Sequence, residues 1–425
     1  MKNIPEIFLQ FIWKYRLFDE NALQIDDGKI EVIETGEHNT GSGPDFFNAR
    51  IRINGTIWAG NVEIHTRASD WFRHGHSEDP AYSNVILHVV QEKDCLLERP
   101  GGEIIPTAVL EFDKSLFEKY SAIIKNHEKI PCRPYLGEIP SVYWTDWIGK
   151  IMIERLEEKT LDVKLALEDN KYNWEETLYR FIGKGFGLKI NNYPFEALVR
   201  STPLMTLLKY RERPLTINAI LFGQSGFLED LISEDDYYNA LQKEYRSIQS
   251  TLPVRTLGKH VWKFKGSRPA NFPTVRISQF ASLITGNYPI FSFLLENLNL
   301  SSWRRVLELG TDRYWDDHYL FGKTGRTRKI RMGTDAINSI ILNAFIPVYF
   351  YYAVFRKRID LKDKLISILE ELPAEKNSIL NKWNSYGIAA KNAFESQSLN
   401  HLTTRYCDKK RCLECMIGKR VIRGM

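Results

Sequence analysis

Two carboxylates and an imidazole, Asp45, Glu63 and His65, carry the chemistry that this sequence most readily supports. They lie in the stretch 36–91, which holds five of the chain's nine histidines. Asp45 follows a Gly-Ser-Gly-Pro turn and opens an alternating run, and Glu63 sits in a second alternating run over 58–66. A period of two marks β-strands, so Glu63 and His65, two residues apart, point to one sheet face. A hairpin around Asn54-Gly55 brings Asp45 towards that face. Two carboxylates there suit one or two hard divalent cations, Mg²⁺ or Mn²⁺, which clamp phosphate oxygens and lower the pKa of an attacking water. His65 is then the group that orients or deprotonates the water, or ligates the metal. His76 and His88 are auxiliary candidates. The ordinary role of a mid-strand histidine such as His88 is a hydrogen-bonded core residue. His74 and His76 flank Gly75 and also read as exposed loop residues, and Glu37, beside His38, is a further candidate ligand.

The elements that must position these groups follow from the surrounding pattern. Helical spacing runs over 5–23, with Pro5 suited to a first turn, and 29–35 alternates as a strand. The segment 68–82 reads as a short helix and loop. The apolar run 84–91 reads as a strand buried on both faces, and 104–112 as one more. This is an α/β domain, a central mixed sheet flanked by helices, over 1–130. Pro131, Pro134, Gly137 and Pro140 mark a linker over 131–140. From 141 to 400 helical periods recur, at 141–167, 174–184, 195–210, 235–249, 274–285, 334–357, 361–372 and 386–406, giving a mostly α-helical domain ahead of a tail at 401–425. LFGQSG at 221–226 and LFGKTG at 320–325 echo each other too briefly to make a repeat, and the second lacks the spacing of a phosphate loop.

At 425 residues the chain is too long for one ordinary core. Its first residues lack the layout of a signal peptide. The apolar run 336–355 carries Asn338, Ser339, Asn343 and Pro347, which suits a buried core helix better than a membrane span. Five cysteines, an odd number, fit a reducing cytoplasm. The net charge of +5 divides into −6 over residues 1–100 and +11 over the remainder. Between Glu244 and Glu296 no acidic residue occurs, while Arg246, Arg255, Lys259, Lys263, Lys265, Arg268 and Arg276 do. Trp262 and Phe264 interleave with the lysines, a pattern for phosphate contact with base stacking. Lys323, Arg326, Arg328, Lys329 and Arg331 form a second basic cluster, and Lys409, Lys410 and Arg411 a third. Nucleic acid is the expected partner.

At the C-terminus, Cys407, Cys412 and Cys415 are spaced C-x4-C-x2-C. Three thiols in nine residues suit tetrahedral Zn²⁺, with His401 or Cys132 as fourth ligand. An iron–sulfur cluster is the rival. The expected role is structural.

The sequence G-P-D-F at 43–46 and E-I-H at 63–65, with seventeen residues between Asp45 and Glu63, resemble the PD-(D/E)xK pattern of restriction-endonuclease-like nucleases. The order of elements over roughly 5–115 is similar too: a helix, strands bearing Asp and then Glu-x-Lys, a helix, another strand. The resemblance implies that Asp45 and Glu63 bind the metal, with His65 where the pattern has lysine. Some nucleases of that superfamily carry an iron–sulfur cluster. Over its whole length the chain also resembles an uncharacterised bacterial family, the domain of unknown function 2851 proteins. The stretches that carry this likeness are GPDFFNARIRI, GNVEIHTRASDWFRHGHSEDPAYSNVILHVV, LFGQSGFL, WKFKGSRPANFPTVR and CDKKRCLECMIG. The expectation is a metal-dependent nuclease acting on DNA or RNA. The alternatives are a non-catalytic nucleic-acid-binding protein on a decayed nuclease fold, and a His-rich hydrolase of small phosphoesters.

Overall fold

Asn54 and Gly55 both take positive φ, 49° and 86°, the conformation of a two-residue hairpin turn. They join β4 (Phe46–Ile53) to β5 (Thr56–Arg67) as antiparallel partners, from Ile53 opposite Thr56 to Phe46 opposite Val62. The computed structural model describes residues 4–26, 28–99, 101–230, 234–252, 257–286, 289–327 and 329–424. Around the hairpin a seven-stranded mixed sheet is laid out, with β1 (Gln24–Ile25), β2 (Gly28–Glu34), β6 (Val85–Glu92) and β7 (Thr107–Val109) in the order β1-β2-β4-β5-β6-β7. The short β3 (Glu37–His38) pairs with the start of β4. β5, β6 and β7 run parallel and all other pairs are antiparallel. The second half of β5 and most of β6 are buried, as their apolar runs require.

The first helix, α1 (Glu6–Lys14), is shorter than its apolar spacing suggests. Arg16 adopts φ 51°, and the Leu17 N–H donates to the Ile12 carbonyl, a left-handed closure that ends the helix. Between β5 and β6 lie α2 (Asp70–Arg73) and a single 3-10 turn, Pro80–Tyr82. After β7, the Asp113 side chain caps α3 (Lys114–Lys125), a helix the sequence reading omits.

The chain divides into two units, one of residues 1–147 with 402–425, the other of 148–401, so the second is inserted in the sequence of the first. The segment 131–140, expected as a linker, contains a 3-10 helix, Arg133–Glu138, within the first unit, and the cysteine-bearing tail belongs to that unit as well. The division falls inside α4 (Ser141–Asp169).

The second unit is mostly helical, around a core that includes Phe222, Trp303, Trp315 and Tyr349. Its helix Pro214–Gln224 escapes sequence reading because almost every residue is buried, leaving no polar face to give a period. The apolar helical stretch Thr334–Phe355 is long enough to cross a membrane, yet 67% of its most apolar window is buried inside the protein. A π-turn at Ile341–Phe345 precedes Pro347. LFGQSG ends a helix whereas LFGKTG forms a β-hairpin, so the echo carries no structural repeat.

Candidate metal centre

The loop before β4 is organised by Asn39. Its amide donates to the Ser42 and Pro44 carbonyls, and its backbone N–H donates to the Asp45 carbonyl at 2.7 Å. Asp45 is thereby set at the mouth of β4, where a bulge between Phe46 and Ala49 breaks the ladder with β5. Asp45 and Glu63 then interlock. The Asp45 N–H donates to Glu63 Oε2 at 3.0 Å, and the Ile64 N–H donates to Asp45 Oδ2 at 3.0 Å. Gln10 of α1 donates to Asp45 Oδ1 at 2.8 Å. The other Glu63 oxygen, Oε1, lies 3.5 Å from His65 Nε2 and 3.4 Å from His76 Nε2.

His65 is the hub of the histidines. Its Nδ1 is 2.8 Å from His88 Nε2, and its Nε2 is 3.1 Å from His74 Nδ1. Register explains the first contact: β6 runs parallel to β5 with His88 beside Glu63, so the imidazole on β6 falls next to the face bearing Glu63 and His65. The other two come from the connection. His74 caps the C-terminus of α2, Gly75 at φ 73° turns the chain, and His76 stacks on Tyr82 with ring centroids 3.8 Å apart. Ligand nitrogens of His65, His74 and His76 lie within 4.8 Å of one another. His65 is buried, His76 half-buried and His74 exposed, so the group opens to solvent through His74. A cavity of about 300 Å³ adjoins it, lined by Trp71, His76, Asp79, Tyr82, Arg99 and Ile105 among others. That is the small end of ligand pockets.

The electrostatics are those of a site that could hold a divalent cation. Burial holds both Asp45 and Glu63 well above the usual carboxylate range, reinforced at Glu63 by the charge of Asp45 and at Asp45 by that of Glu6. Burial and neighbouring imidazoles push His65 down to about 2 and His88 down to about 3. His76 is lowered too, chiefly by burial. His65 is therefore a neutral imidazole and cannot supply the positive charge that a lysine brings to its place in the PD-(D/E)xK pattern. A divalent cation would reverse the first trend and reinforce the second, favouring carboxylates and neutral imidazoles together. The ring nitrogens also fit one. His88 Nδ1 is buried with no hydrogen-bond partner. When His88 carries its proton there, its Nε2 accepts the Nδ1–H of His65, and His65 Nε2 is left with a free lone pair directed at the group. That is the orientation a metal-bound histidine takes.

The structure thus brings together Asp45, Glu63, His65, His76 and His88, and adds His74, which local sequence assigns equally to an exposed loop. The signal that could have found it is the H-G-H turn directly after a strand carrying E-x-H. Glu37 is exposed, and His38 turns to Lys14 and Phe46.

The basic span resolves differently. Arg276 is buried, its guanidinium donating to Gln279 and Asn271, so it cannot reach a polyanion. Trp262 is buried as well and donates to the Ser225 carbonyl at 2.8 Å, which leaves its ring unavailable for base stacking, and the half-buried Phe264 packs against the core. Lys259 pairs with Asp230. Lys263, Lys265, Arg268, Arg326 and Lys329 are exposed, while Arg255 and Arg328 lie outside the described residues. His401 sits 3.2 Å from Glu154 and 3.7 Å from Glu158 in the second unit, whereas Cys132, Cys412 and Cys415 are buried in the first.

The chain belongs to the family described as Protein of unknown function (DUF2851), which it matches over residues 6–378. No curated protein and no solved structure matches it.

Proposed function

We propose that this protein is a divalent-metal-dependent phosphodiesterase acting on nucleic acid, built on a restriction-endonuclease-like core. One observation carries the reading: two interlocked carboxylates, Asp45 at the mouth of β4 and Glu63 in the middle of β5, lie beside the neutral imidazole of His65. Their setting supports it, since α1, β2, β4, β5, α2 and the parallel β6 follow the order that the PD-(D/E)xK resemblance implies.

Glu63 Oε1 and the Nε2 atoms of His65 and His76 would hold the cation, with Asp45 as the adjoining carboxylate. A bound divalent ion supplies a charge clamp on phosphate oxygens and lowers the pKa of water beside it. His65 then serves as a ligand rather than as the base expected from its place in the motif. His74, exposed and 3.1 Å from His65 Nε2, is positioned to accept the proton of the attacking water. His88 orients His65. The exposed Lys263, Lys265 and Arg268 are the candidates for phosphate contact, and the unpaired cysteines accord with a cytoplasmic setting.

The test is cleavage of labelled single- and double-stranded DNA and RNA with Mg²⁺, Mn²⁺ or Zn²⁺, beside the double variant Asp45→Ala, Glu63→Ala. Metal-dependent cleavage lost in the variant is the expected result. Absence of cleavage by the native chain, with salt-sensitive binding equal in both proteins, would sink the enzymatic reading and leave a binding module. The histidine-rich donor set favours one second reading, a hydrolase of small phosphoesters. Turnover of a chromogenic phosphodiester, undiminished by neutralising Lys263, Lys265 and Arg268, would select it.

A further inference from the structure

We infer that Cys132, Cys407, Cys412 and Cys415 form a four-thiolate metal centre that fastens the segment 402–425 to the rest of the first unit. Cys132 immediately precedes the 3-10 helix Arg133–Glu138, Cys407 ends the π-turn Thr403–Cys407, and Cys412 and Cys415 lie in the loop before the terminal helix Met416–Arg423. The two segments are pinned together around these residues. Lys129 pairs with Asp408 at 2.5 Å, and the Lys410 ammonium donates to the Ile124 carbonyl. All four thiols are free; three are buried and Cys407 is half-buried. They lie close enough that the Cys407 thiol is held up by burial and then by Cys132, Cys415 and Cys412 in turn.

Cys415 is the N-cap of the terminal helix Met416–Arg423, and the backbone N–H groups of Ile417 and Gly418 favour negative charge on its sulfur. Donors of this kind offset the negative charge that a metal-bound sulfur retains. Gly418 makes the closure possible, because a Cβ there would fall 2.3 Å from the Cys412 carbonyl oxygen. Lys410 and Lys419 place positive charge near Cys412 and Cys415. Four cysteines from two distant segments, three buried and one half-buried, supply the donor set of a closed structural site for a thiophilic metal, either Zn²⁺ or an iron–sulfur cluster. On binding, each thiol gives its proton to solvent as its sulfur–metal bond forms, and with zinc no electron is transferred. His401, engaged by Glu154 and Glu158, takes no part.

The test uses the full chain, purified anaerobically without added metal. The expected result is roughly one zinc per chain, colourless, or roughly four irons with acid-labile sulfide and a brown absorption; the colour and the metal analysis tell the two sources apart. In the native protein a thiol reagent should modify only Cys95, and after metal removal all five cysteines. Cys132→Ser should bring the metal content near zero, while Cys95→Ser leaves it unchanged. Should Cys132→Ser fail to fold, the thiol count of the native chain decides alone. Five reactive thiols in native protein, or metal retained in both Cys132→Ser and Cys412→Ser, would overturn the inference. Neither readout depends on nuclease activity.

Discussion

The stretch 45–88 and the acid-free span 245–295 each concentrate polar side chains of one kind, yet the fold treats them in opposite ways. In the first, residues dispersed over two strands, a loop and a third strand converge on one pocket, and their ionised forms are poorly accommodated there. In the second, a dense run of cations is taken apart: Arg276 enters the core, Lys259 finds Asp230, and Trp262 packs inside. The difference teaches that spacing constrained by strand alternation is three-dimensional information, whereas a tally of charge along a chain is not. A buried polar cluster left in electrostatic conflict is a functional candidate; a buried arginine bonded to neutral amides is architecture.

The sharpest way to break this comparison is substitution on each side. Glu63→Gln should lower metal-dependent cleavage by at least about 100-fold, beyond what loss of an outer-shell partner causes, with the melting temperature preserved or raised. Trp262→Ala should do the reverse, costing about 3–5 kcal/mol of stability without altering metal affinity, as chemical denaturation and calorimetry would report. Equal effects of the two on both readouts would dissolve the distinction.

His88→Ala tests the orienting role, with an expected loss of about 10–100-fold in metal affinity. His88→Gln should recover part of it, because the amide oxygen can accept the His65 Nδ1–H. A purely structural role for His88 would lower stability in both variants and show no such recovery.

The pH response follows from the direction of the shifts. Glu63 and Asp45 keep their protons in the metal-free fold beyond the pH at which they lose them unfolded, so the folded state binds more protons above pH 4.5. Their contribution to stability is present below that value and lost as pH rises through the neutral range. His65 and His88 act oppositely: their folded pKa values are depressed, so stability present above 6.5 is lost as pH falls towards 3. Metal-free protein should therefore be most stable in mildly acidic solution, and bound metal should raise its melting temperature most on the alkaline side. Metal affinity should climb with pH and binding should release protons, measurable by calorimetry in two buffers of different ionisation enthalpy.

The smallest effect is expected from the exposed cations. Neutralising Lys263, Lys265 and Arg268 together should reduce the salt slope of duplex binding by up to about 0.9 per residue, while a neutral replacement of Arg276 leaves the slope unchanged. A larger change in slope on replacing Arg276 would restore the span as a continuous surface.

The hairpin, the shared face of Glu63 and His65 and the burial of β6 were legible because each depends on near neighbours: a turn pair, a period of two, an apolar run. His74 was less so, since its place depends on a four-residue helix and one glycine turn. Cys132 as partner to the C-terminal cysteines was only one of two candidates, and choosing it over His401 needs tertiary structure. The burial of Arg276 had no sequence sign at all, because its helix, Pro273–Gly286, is buried on nearly every side.

Insertion of 148–401 within the first unit has a consequence for the order of events at the ribosome. The helix Met416–Arg423, with Lys419 and Arg423 over the ring of Tyr15, is made only after the inserted unit. About 250 residues must be translated between the two parts of that unit, which takes roughly 10–50 s at 5–20 residues per second. Until then the sheet bearing Asp45 and Glu63 waits without its closing segment. Chains released within the inserted unit would lack it altogether, so completion of the first unit reports that the inserted unit has been synthesised.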